Sequence, residues 1–361
     1  MNNTNDNINA VLAKFCLDGQ VSSVRPYGEG VINKTYIVET ESGSRYILQK
    51  LNENAFKNIP AIMENIEGIA RFLKEKKGEE MPVLEPVYTK DGSSYCKDED
   101  GYFRVTPFAE GTICLQAPES LEDFYQCAVG FGRFISDLVD YPAESLNETI
   151  PNFHNTKDRY RIFKETLAKN PAGRAASVEK EISFLLDREE EMSRLSMYME
   201  SGVLPVRVTH NDTKLNNLLL DAKTRTPKYV IDLDTVMPGL SLYDYGDCIR
   251  FGANTEAEDE PDTDKISLDL ERFRVFTEGF AKACPNRTDK EYELLPLGAK
   301  TITCELACRF LTDYLDGDNY FATRYDGHNL VRARAQMKLV ASMEEKWEEM
   351  NRIVSEVRGK E

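Results

Sequence analysis

The residues best suited to chemistry lie in two short segments beyond the middle of the chain. Asp212 and Asn217 stand five residues apart, and Asp232 follows the apolar run at 229–231. A carboxylate can orient an acceptor hydroxyl and take its proton, while an amide oxygen and a second carboxylate can bind Mg²⁺. This spacing is typical of a phosphoryl-transfer loop. The sequence therefore predicts Asp212 as the catalytic base and Asn217 and Asp232 as metal ligands.

Two neighbours of these residues have more than one interpretation. Asp234 lies two residues after Asp232, so the two carboxylates share a face if the segment is extended. Adjacent carboxylates repel each other unless a cation lies between them, which makes Asp234 a second candidate metal ligand. A place in the turn before Pro238 is the alternative. We interpret His210 as a structural residue that hydrogen-bonds nearby backbone, because Asp212 already fits the role of base.

A glycine-containing turn near the N-terminus is a candidate phosphate-binding loop. Residues 27–36 read Tyr-Gly-Glu-Gly-Val-Ile-Asn-Lys-Thr-Tyr, with Gly28, Gly30 and Asn33 as the candidate contacts. Glycines allow backbone amides to approach phosphates closely. An ordinary β-turn is the alternative for such a hairpin taken alone. Its position ahead of the strand predicted at 46–50 favours the phosphate loop.

The segment 210–220, His-Asn-Asp-Thr-Lys-Leu-Asn-Asn-Leu-Leu-Leu, resembles the catalytic loop of the aminoglycoside phosphotransferase and choline kinase superfamily, which has a protein-kinase-like fold. The chain is more similar still to bacterial N-acetylhexosamine 1-kinases. That resemblance implies ATP- and Mg²⁺-dependent phosphorylation of the anomeric hydroxyl of N-acetylglucosamine or N-acetylgalactosamine. The alternatives are another small-alcohol kinase, acting on an aminoglycoside, choline or another sugar, and a nucleotide-binding protein without turnover. The supporting strings lie at 27–36, 207–217, 231–235, 243–252, 309–315 and 320–323.

The cation expected beside the nucleotide phosphates has no single candidate. Kinase-like folds place a lysine on a strand and pair it with a helix glutamate. Gln49 has the expected register, and Lys50 lies one residue beyond, on the opposite face. Either a bulge turns Lys50 inward, or Gln49 takes the position and the charge comes from elsewhere. Glu64 and Glu67 are candidate helix partners, of which we assign Glu67.

The resemblance also implies a hinge and an acceptor site. The hinge would be 108–111, with Phe108 and Glu110 contacting ATP. Arg309 and Tyr320 would bind the sugar, since fixed planar donors and an aromatic face suit a polyol. An ordinary helical salt bridge between Arg309 and Asp313, four residues apart, is the alternative.

Strand-like segments come first in the chain and long amphipathic helices follow. We therefore expect an α+β, bilobal, protein-kinase-like fold with a small β-rich N-lobe and a larger helical C-lobe. The predicted boundaries are 1–107 for the nucleotide-binding lobe, 108–111 for the hinge and 112–361 for the lobe with the catalytic loop and substrate site. Strands are predicted at 31–38, 44–51, 83–87 and 102–107, and helices at 59–77, 121–139, 179–200, 268–282, 300–315 and 330–357.

The composition narrows the range of partners. Forty-five basic and 62 acidic residues give a net charge of −17, which disfavours binding to nucleic acid or anionic membranes. No apolar run approaches the roughly 20 residues of a membrane span, and the N-terminus lacks the features of a secretion signal. Eight cysteines without Cys-x-x-Cys indicate free thiols rather than a zinc site. We expect a cytoplasmic protein that binds a nucleotide and a small sugar.

Overall fold

The computed structural model describes residues 2–28 and 32–359, and its first part is built on one antiparallel sheet. The strand order is β1-β2-β3-β5-β4, so β3 and β5 are neighbours. The connection from β5 into the helical part forms the back of a cleft. The strands of this sheet are β1 Val21–Pro26, β2 Lys34–Thr40, β3 Arg45–Lys50, β4 Tyr95–Asp98 and β5 Gly101–Pro107.

Two small sheets carry the segments with the candidate catalytic residues. One pairs β7 with β10, and the other has the order β6-β8-β9. The loop between β7 and β8 holds Asp212 and Asn217, while Asp232 and Asp234 lie between β9 and β10. The strands are β6 Thr112–Cys114, β7 Arg207–Thr209, β8 Leu218–Asp221, β9 Pro227–Val230 and β10 Met237–Gly239.

Helices make up most of the remaining chain. The α+β, bilobal, kinase-like architecture is confirmed: a small antiparallel sheet lobe precedes a larger helical lobe. The helices are α1 Asn2–Leu12, α2 Ile59–Lys77, α3 Leu121–Asp137, α4 Thr156–Lys169, α5 Glu179–Leu186, α6 Glu189–Met192, α7 Arg194–Glu200, α8 Ser241–Gly252, α9 Leu270–Ala283, α10 Asp289–Glu293, α11 Leu295–Asp316, α12 His328–Glu345 and α13 Trp347–Arg358.

Helix α2 joins the two lobes through its buried face. The Asn58 side chain caps the helix by accepting from the Ala61 amide at 3.2 Å, and the chain leaves the helix at Gly78 with φ of 61°. Its apolar residues recur at helical spacing and pack into the main core, which is mostly helical. Helix α1 instead packs on the sheet, in a separate small core.

Helix α8 sits close to α11 and thereby positions the catalytic loop. A Cβ atom added at Gly246 would lie 2.5 Å from the Gly298 carbonyl oxygen, and one added at Gly298 would lie 2.8 Å from the Leu242 carbonyl oxygen. Only glycine allows this approach. Because α8 also carries Asp244, the close packing of α8 against α11 fixes the position of the Asp244 carboxylate next to the catalytic loop.

Several element predictions were wrong. Residues 83–87 form no strand, because Pro82 and Pro86 have no N–H to donate to a ladder. The helix predicted at 179–200 is divided into α5, α6 and α7, and the bends keep Leu185, Met192 and Leu195 buried. The helix predicted at 330–357 is likewise two helices, α12 and α13. Helices α1, α4, α8 and α10, strands β1 and β4 and the short strands β6 to β10 were not among the predicted ranges.

Two global properties complete the description. No helix in the described parts of the chain is long and apolar enough to cross a membrane. All eight cysteines are free thiols.

Candidate active site

A cleft of about 340 Å³ lies between the sheet lobe and the helical lobe. Its walls are mostly apolar, including Tyr27 and Phe108, whose rings meet edge to face at 5.9 Å. The polar side chains in this lining include Gln49, Arg104, Asn217 and Asp232. An apolar slot with a few convergent polar groups is suited to a planar base attached to a charged tail.

The catalytic loop is held from below by Asp244. Its carboxylate accepts from the amides of His210 at 2.8 Å and Asn211 at 2.7 Å, and its carbonyl oxygen accepts from the Thr213 hydroxyl. Burial raises the pKa of Asp244 to about 6, although the His210 and Asn211 amides oppose that rise. Asn211 adopts a left-handed conformation with φ of 64°, which asparagine tolerates better than most residues. The loop therefore presents Asp212 in a defined position.

His210 has the structural role predicted for it. Its Nδ1 accepts from the Asp212 amide at 3.3 Å, so the proton resides on Nε2, which donates to the Ile231 carbonyl oxygen at 2.9 Å. The ring is buried between Phe131 and Phe134. Both nitrogens are therefore committed to backbone, and the base must be another residue.

Asp212 is held by a lysine that the sequence analysis missed. Lys214 Nζ lies 2.9 Å from Asp212 Oδ1, and the Asn217 side-chain amide donates to Oδ2 at 3.1 Å. Desolvation works to raise the pKa of Asp212, but Lys214, His210 and Asn217 together outweigh it, and the pKa is lower than that of an ordinary aspartate. Asp212 is therefore an anion at neutral pH. The Asp-x-Lys spacing was the available signal.

Asp232 and Asn217 fit a divalent cation. Asp232 has a left-handed backbone with φ of 59°, and its side chain opens to the cleft. The surrounding protein leaves the carboxylate poorly solvated and, together with Asp234, raises its pKa to about 6. Asn217 donates its amide nitrogen to the Asp212 carbonyl oxygen at 2.8 Å, which leaves its own oxygen for a ligand. Mg²⁺ commonly uses one or two protein oxygens with phosphates and water.

Asp234 is buried and both of its carboxylate oxygens accept from protein. Oδ1 pairs with the Arg104 guanidinium, and Oδ2 accepts from the Asn33 side chain at 2.9 Å. Asn33 in turn accepts from the Asn52 amide at 3.0 Å. Asp234 and Asn33 therefore contact each other, and neither forms part of the cleft lining.

Of the two alternatives for the strand cation, the structure has Gln49 facing the cleft. Lys50 points to the other side of β3, where its Nζ lies 5.8 Å from the centre of the Phe103 ring. Gln49 Oε1 accepts from Arg104 Nε at 2.9 Å. Among the described residues that line the cleft, the positive charge is that of Arg104, on β5, which the sequence analysis did not identify.

The remaining nucleotide-binding predictions fall in different places. Gly28 has φ of 73° and does not line the cleft, although its neighbour Tyr27 does. Gly30 lies outside the described residues. Glu110 pairs with Arg45, whose Nε lies 2.7 Å away. Glu110 and Glu67 are both absent from the cleft lining, so the structure does not bring them to the other predicted nucleotide contacts.

A second cavity, of about 210 Å³, includes Arg309 and Tyr320 but not Asp212. The Arg309 guanidinium lies 5.1 Å from the centre of the Phe153 ring and 5.9 Å from that of Tyr320. Arg309 and Asp313 form no salt bridge, because Asp313 accepts from the backbone amides of 319–321 instead. Beside Phe153, the His154 ring lies with its centre 4.6 Å from that of Phe153, and His154 Nε2 lies 3.1 Å from the Asn211 carbonyl oxygen of the catalytic loop.

A bilobal kinase-like fold with this arrangement of carboxylates is the arrangement expected of a phosphotransferase. The model of the phosphotransferase enzyme family, APH, matches residues 23–276. The chain therefore belongs to this family and is a small-molecule phosphotransferase.

Solved structures share the fold over nearly their full length. An aminoglycoside phosphotransferase from Alicyclobacillus acidocaldarius has a TM-score of 0.63 at 15% identity, covering 94% of this chain and 96% of its own. A spectinomycin phosphotransferase in complex with ADP and spectinomycin has a TM-score of 0.62 at 13% identity, covering 94% of this chain and 98% of its own. An amicoumacin kinase in complex with AMP-PNP and Ca²⁺ has 0.62 at 14%, covering 94% and 93%. At these identities the likeness shows the fold alone.

Proposed function

We propose that this protein transfers the γ-phosphoryl group of ATP, with Mg²⁺, to the anomeric hydroxyl of N-acetylglucosamine or N-acetylgalactosamine, giving the 1-phosphate. The observation that carries the phosphoryl-transfer part is the convergence of Asp212, Asn217 and Asp232 beside one apolar cleft. The sugar rests on the sequence resemblance and on the character of the second cavity.

Asp212 is the residue that orients the acceptor hydroxyl and receives its proton. Because Lys214 lowers the pKa of Asp212, the carboxylate is a weak base and accepts the proton late, when the bond to phosphorus is largely formed. An anomeric hydroxyl is more acidic than an ordinary alcohol, so a weak base suffices. Lys214 and Asn217 keep the carboxylate in one orientation throughout.

Asn217 and Asp232 are the residues proposed to hold Mg²⁺. When bound, that ion would neutralise charge on the phosphates and on the Asp232 carboxylate. The raised pKa of Asp232 reflects poor solvation and the nearby Asp234, and a cation would relieve both effects. Asp234, whose oxygens already accept from Arg104 and Asn33, is the weaker of the proposed ligands.

The adenine ring is proposed to lie between the two lobes, against the connection that follows β5. Phe108 and Ala109 line the cleft there, together with apolar residues from both lobes. The spectinomycin phosphotransferase and the amicoumacin kinase were solved with ADP and AMP-PNP respectively, which supports a nucleotide as the donor. Closure of the lobes over it would exclude water and limit hydrolysis.

The second cavity is better suited to a neutral polyol than to a cationic acceptor. Two arginines and two aspartates line it, Arg159 and Arg309 with Asp313 and Asp316, so the formal charges cancel. A polycationic aminoglycoside would favour an acidic site. The aromatic rings that could enclose the quaternary ammonium of choline already surround Arg309.

The test is an ADP-release assay over a panel of acceptors. Free N-acetylglucosamine and N-acetylgalactosamine should give turnover, whereas choline and aminoglycosides should not. Phosphorus NMR of the product should place the phosphate on the anomeric oxygen. Phosphate on O3 or O6, or faster turnover of an aminoglycoside, would replace the sugar 1-kinase with another acceptor class. If no member of the panel caused ADP release, the result would argue for a protein without this activity.

A further inference from the structure

Arg104 is a charged residue buried at the polar part of the cleft. It is 6% exposed and stands in the middle of β5, directly opposite Gln49 of β3. Opposite residues of an antiparallel pair project from the same face of the sheet. Phe103 and Val105 on either side are buried in the sheet core, so strand alternation directs Arg104 and Thr106 to the cleft.

The usual lysine–glutamate pair of kinase-like folds is missing from the described residues around this cleft. Lys50 faces away from it, and the α2 residues that line it are Met63 and Ile66. Glu64 accepts from the Asn147 side chain at 3.1 Å, away from the cleft. Glu67 is not part of the lining. A nucleotide in this cleft would need another cation for its phosphates.

We propose that Arg104 is that cation, that it contacts the α- and β-phosphates of the nucleotide, and that Asp234 is the carboxylate that holds it. The inference rests on the proposed nucleotide-binding function. Compared with the usual arrangement of kinase-like folds, the cation lies on β5 instead of the neighbouring strand β3, on the same face of the sheet. The acidic partner likewise lies in the segment that follows Asp232 instead of on the helix.

The hydrogen bonds of the guanidinium leave room for a phosphate. Arg104 Nε donates to Gln49 at 2.9 Å and Nη1 pairs with Asp234. Within the described residues, no protein group accepts from Nη2. A guanidinium has five donors in a rigid fork, so it can keep both protein contacts and still donate to a phosphate oxygen. A lysine ammonium would have no comparable fork.

Asp234, the proposed partner of Arg104, also contacts two other segments of the chain. Asp234 Oδ2 accepts from Asn33, which follows the glycine turn, and its carbonyl oxygen accepts from the Thr149 hydroxyl. Arg104 also lies near enough to Asp232 to oppose the rise in that residue's pKa. The cation and the proposed metal ligand therefore face the same part of the cleft. Asp234 becomes a positioning residue rather than a metal ligand.

The test compares ADP and adenosine as ligands of the full chain. Arg104→Met should weaken ADP binding about 10- to 100-fold, through loss of a charge-assisted hydrogen bond to phosphate. Adenosine has no phosphate and should bind as it does to the unaltered protein. Calorimetric titrations give the ratio of the two affinities. An unchanged ratio would overturn the inference, since an arginine needed only for folding affects both ligands alike.

Lys50→Met is the matched control, because it removes a cation from the neighbouring strand. It should leave the ratio unchanged, and a selective loss of ADP binding would make Lys50 the phosphate cation. Gln49→Lys in the Arg104→Met background restores a charge to the cleft face of β3. That double variant should regain ADP selectivity, and it also keeps a cation for Asp234 if Arg104→Met folds poorly. A ratio that stays at the Arg104→Met value would count against the inference.

The Asp234→Asn variant distinguishes two possible roles of Asp234, holding Arg104 in position and binding the metal. If Asp234 positions Arg104, the variant should bind ADP more weakly even in EDTA. If Asp234 is a metal ligand, the variant should show a defect only when Mg²⁺ is present. A defect confined to Mg²⁺ conditions would overturn this part of the inference. If the unaltered protein binds neither ADP nor adenosine, the proposed function itself fails and the inference fails with it. Binding of ADP that no variant alters refutes Arg104 alone.

Discussion

Asp212→Asn tests the proposed chemistry most directly, because the amide keeps the shape of the carboxylate and cannot accept a proton. Loss of a general base typically lowers the rate by about 10²–10⁴-fold, which is about 2.7–5.4 kcal/mol in activation free energy. The structure indicates how much of any change is indirect. The Asn oxygen can keep the contact to Lys214, and its NH₂ group then meets the Asn217 amide.

The contact between these two NH₂ groups costs at most one hydrogen bond, about 0.5–1.5 kcal/mol. Asn217 also retains its bond to the Asp212 carbonyl oxygen, so the loop should keep its position. The expected result is therefore a large fall in turnover with nearly unchanged ATP affinity. An ADP-release assay at saturating sugar gives the rate, and calorimetry with a non-hydrolysable ATP analogue gives the affinity.

The matched control is the same substitution at Asp326, whose side chain is 96% exposed and far from the loop in sequence. Asp326→Asn should behave as the unaltered protein in both assays. A near-normal rate for Asp212→Asn at saturating sugar would refute the base assignment. Equal losses of turnover and ATP affinity would instead indicate that the substitution displaced the loop.

Five further outcomes are expected. Asp232→Ala should weaken Mg²⁺-dependent binding of an ATP analogue, and unchanged metal dependence in calorimetry would place the metal elsewhere. Asp244→Asn should lower the free energy of unfolding by about 1–3 kcal/mol, because one backbone amide of the catalytic loop loses its acceptor; denaturant titration measures it. Gly246→Ala should destabilise by about 1–3 kcal/mol in the same assay, since its Cβ would lie 2.5 Å from the Gly298 carbonyl oxygen. Arg309→Ala should reduce sugar use far more than nucleotide binding, and 1-O-methyl glycosides should not react with the unaltered protein; turnover of those glycosides would exclude the anomeric hydroxyl as acceptor.

The candidate catalytic loop could be located from the sequence because its contacts are local. Asp212 and Asn217 are five residues apart in one loop, and the hydrogen bonds between them are made within that segment. The long amphipathic helices α2 and α3 were predicted for a similar reason, since their periodicity reflects one buried face. The order of the two lobes was predicted from the strand-like segments that come first and the amphipathic helices that follow.

The cation in the cleft could not be predicted in this way. Alternation within 102–107 would have placed Arg104 and Thr106 on one face, but not which face was the cleft. That depends on the register of β5 against β3, which joins residues more than fifty positions apart. Lys50, Glu67 and Glu110 were assigned to the nucleotide from order along the chain, and none of them lines the cleft.

The sequence by itself identified the candidate reactive groups, whereas the tertiary structure decided their partners. Spacing predicted Asp232 as a metal ligand and left the role of Asp234 open between a second ligand and a turn residue. Only the fold shows that Asp232 opens to the cleft while Asp234 is buried against Arg104. The physical reason is that a buried carboxylate needs a cation, and strand pairing places that cation where chain order gives no sign of it.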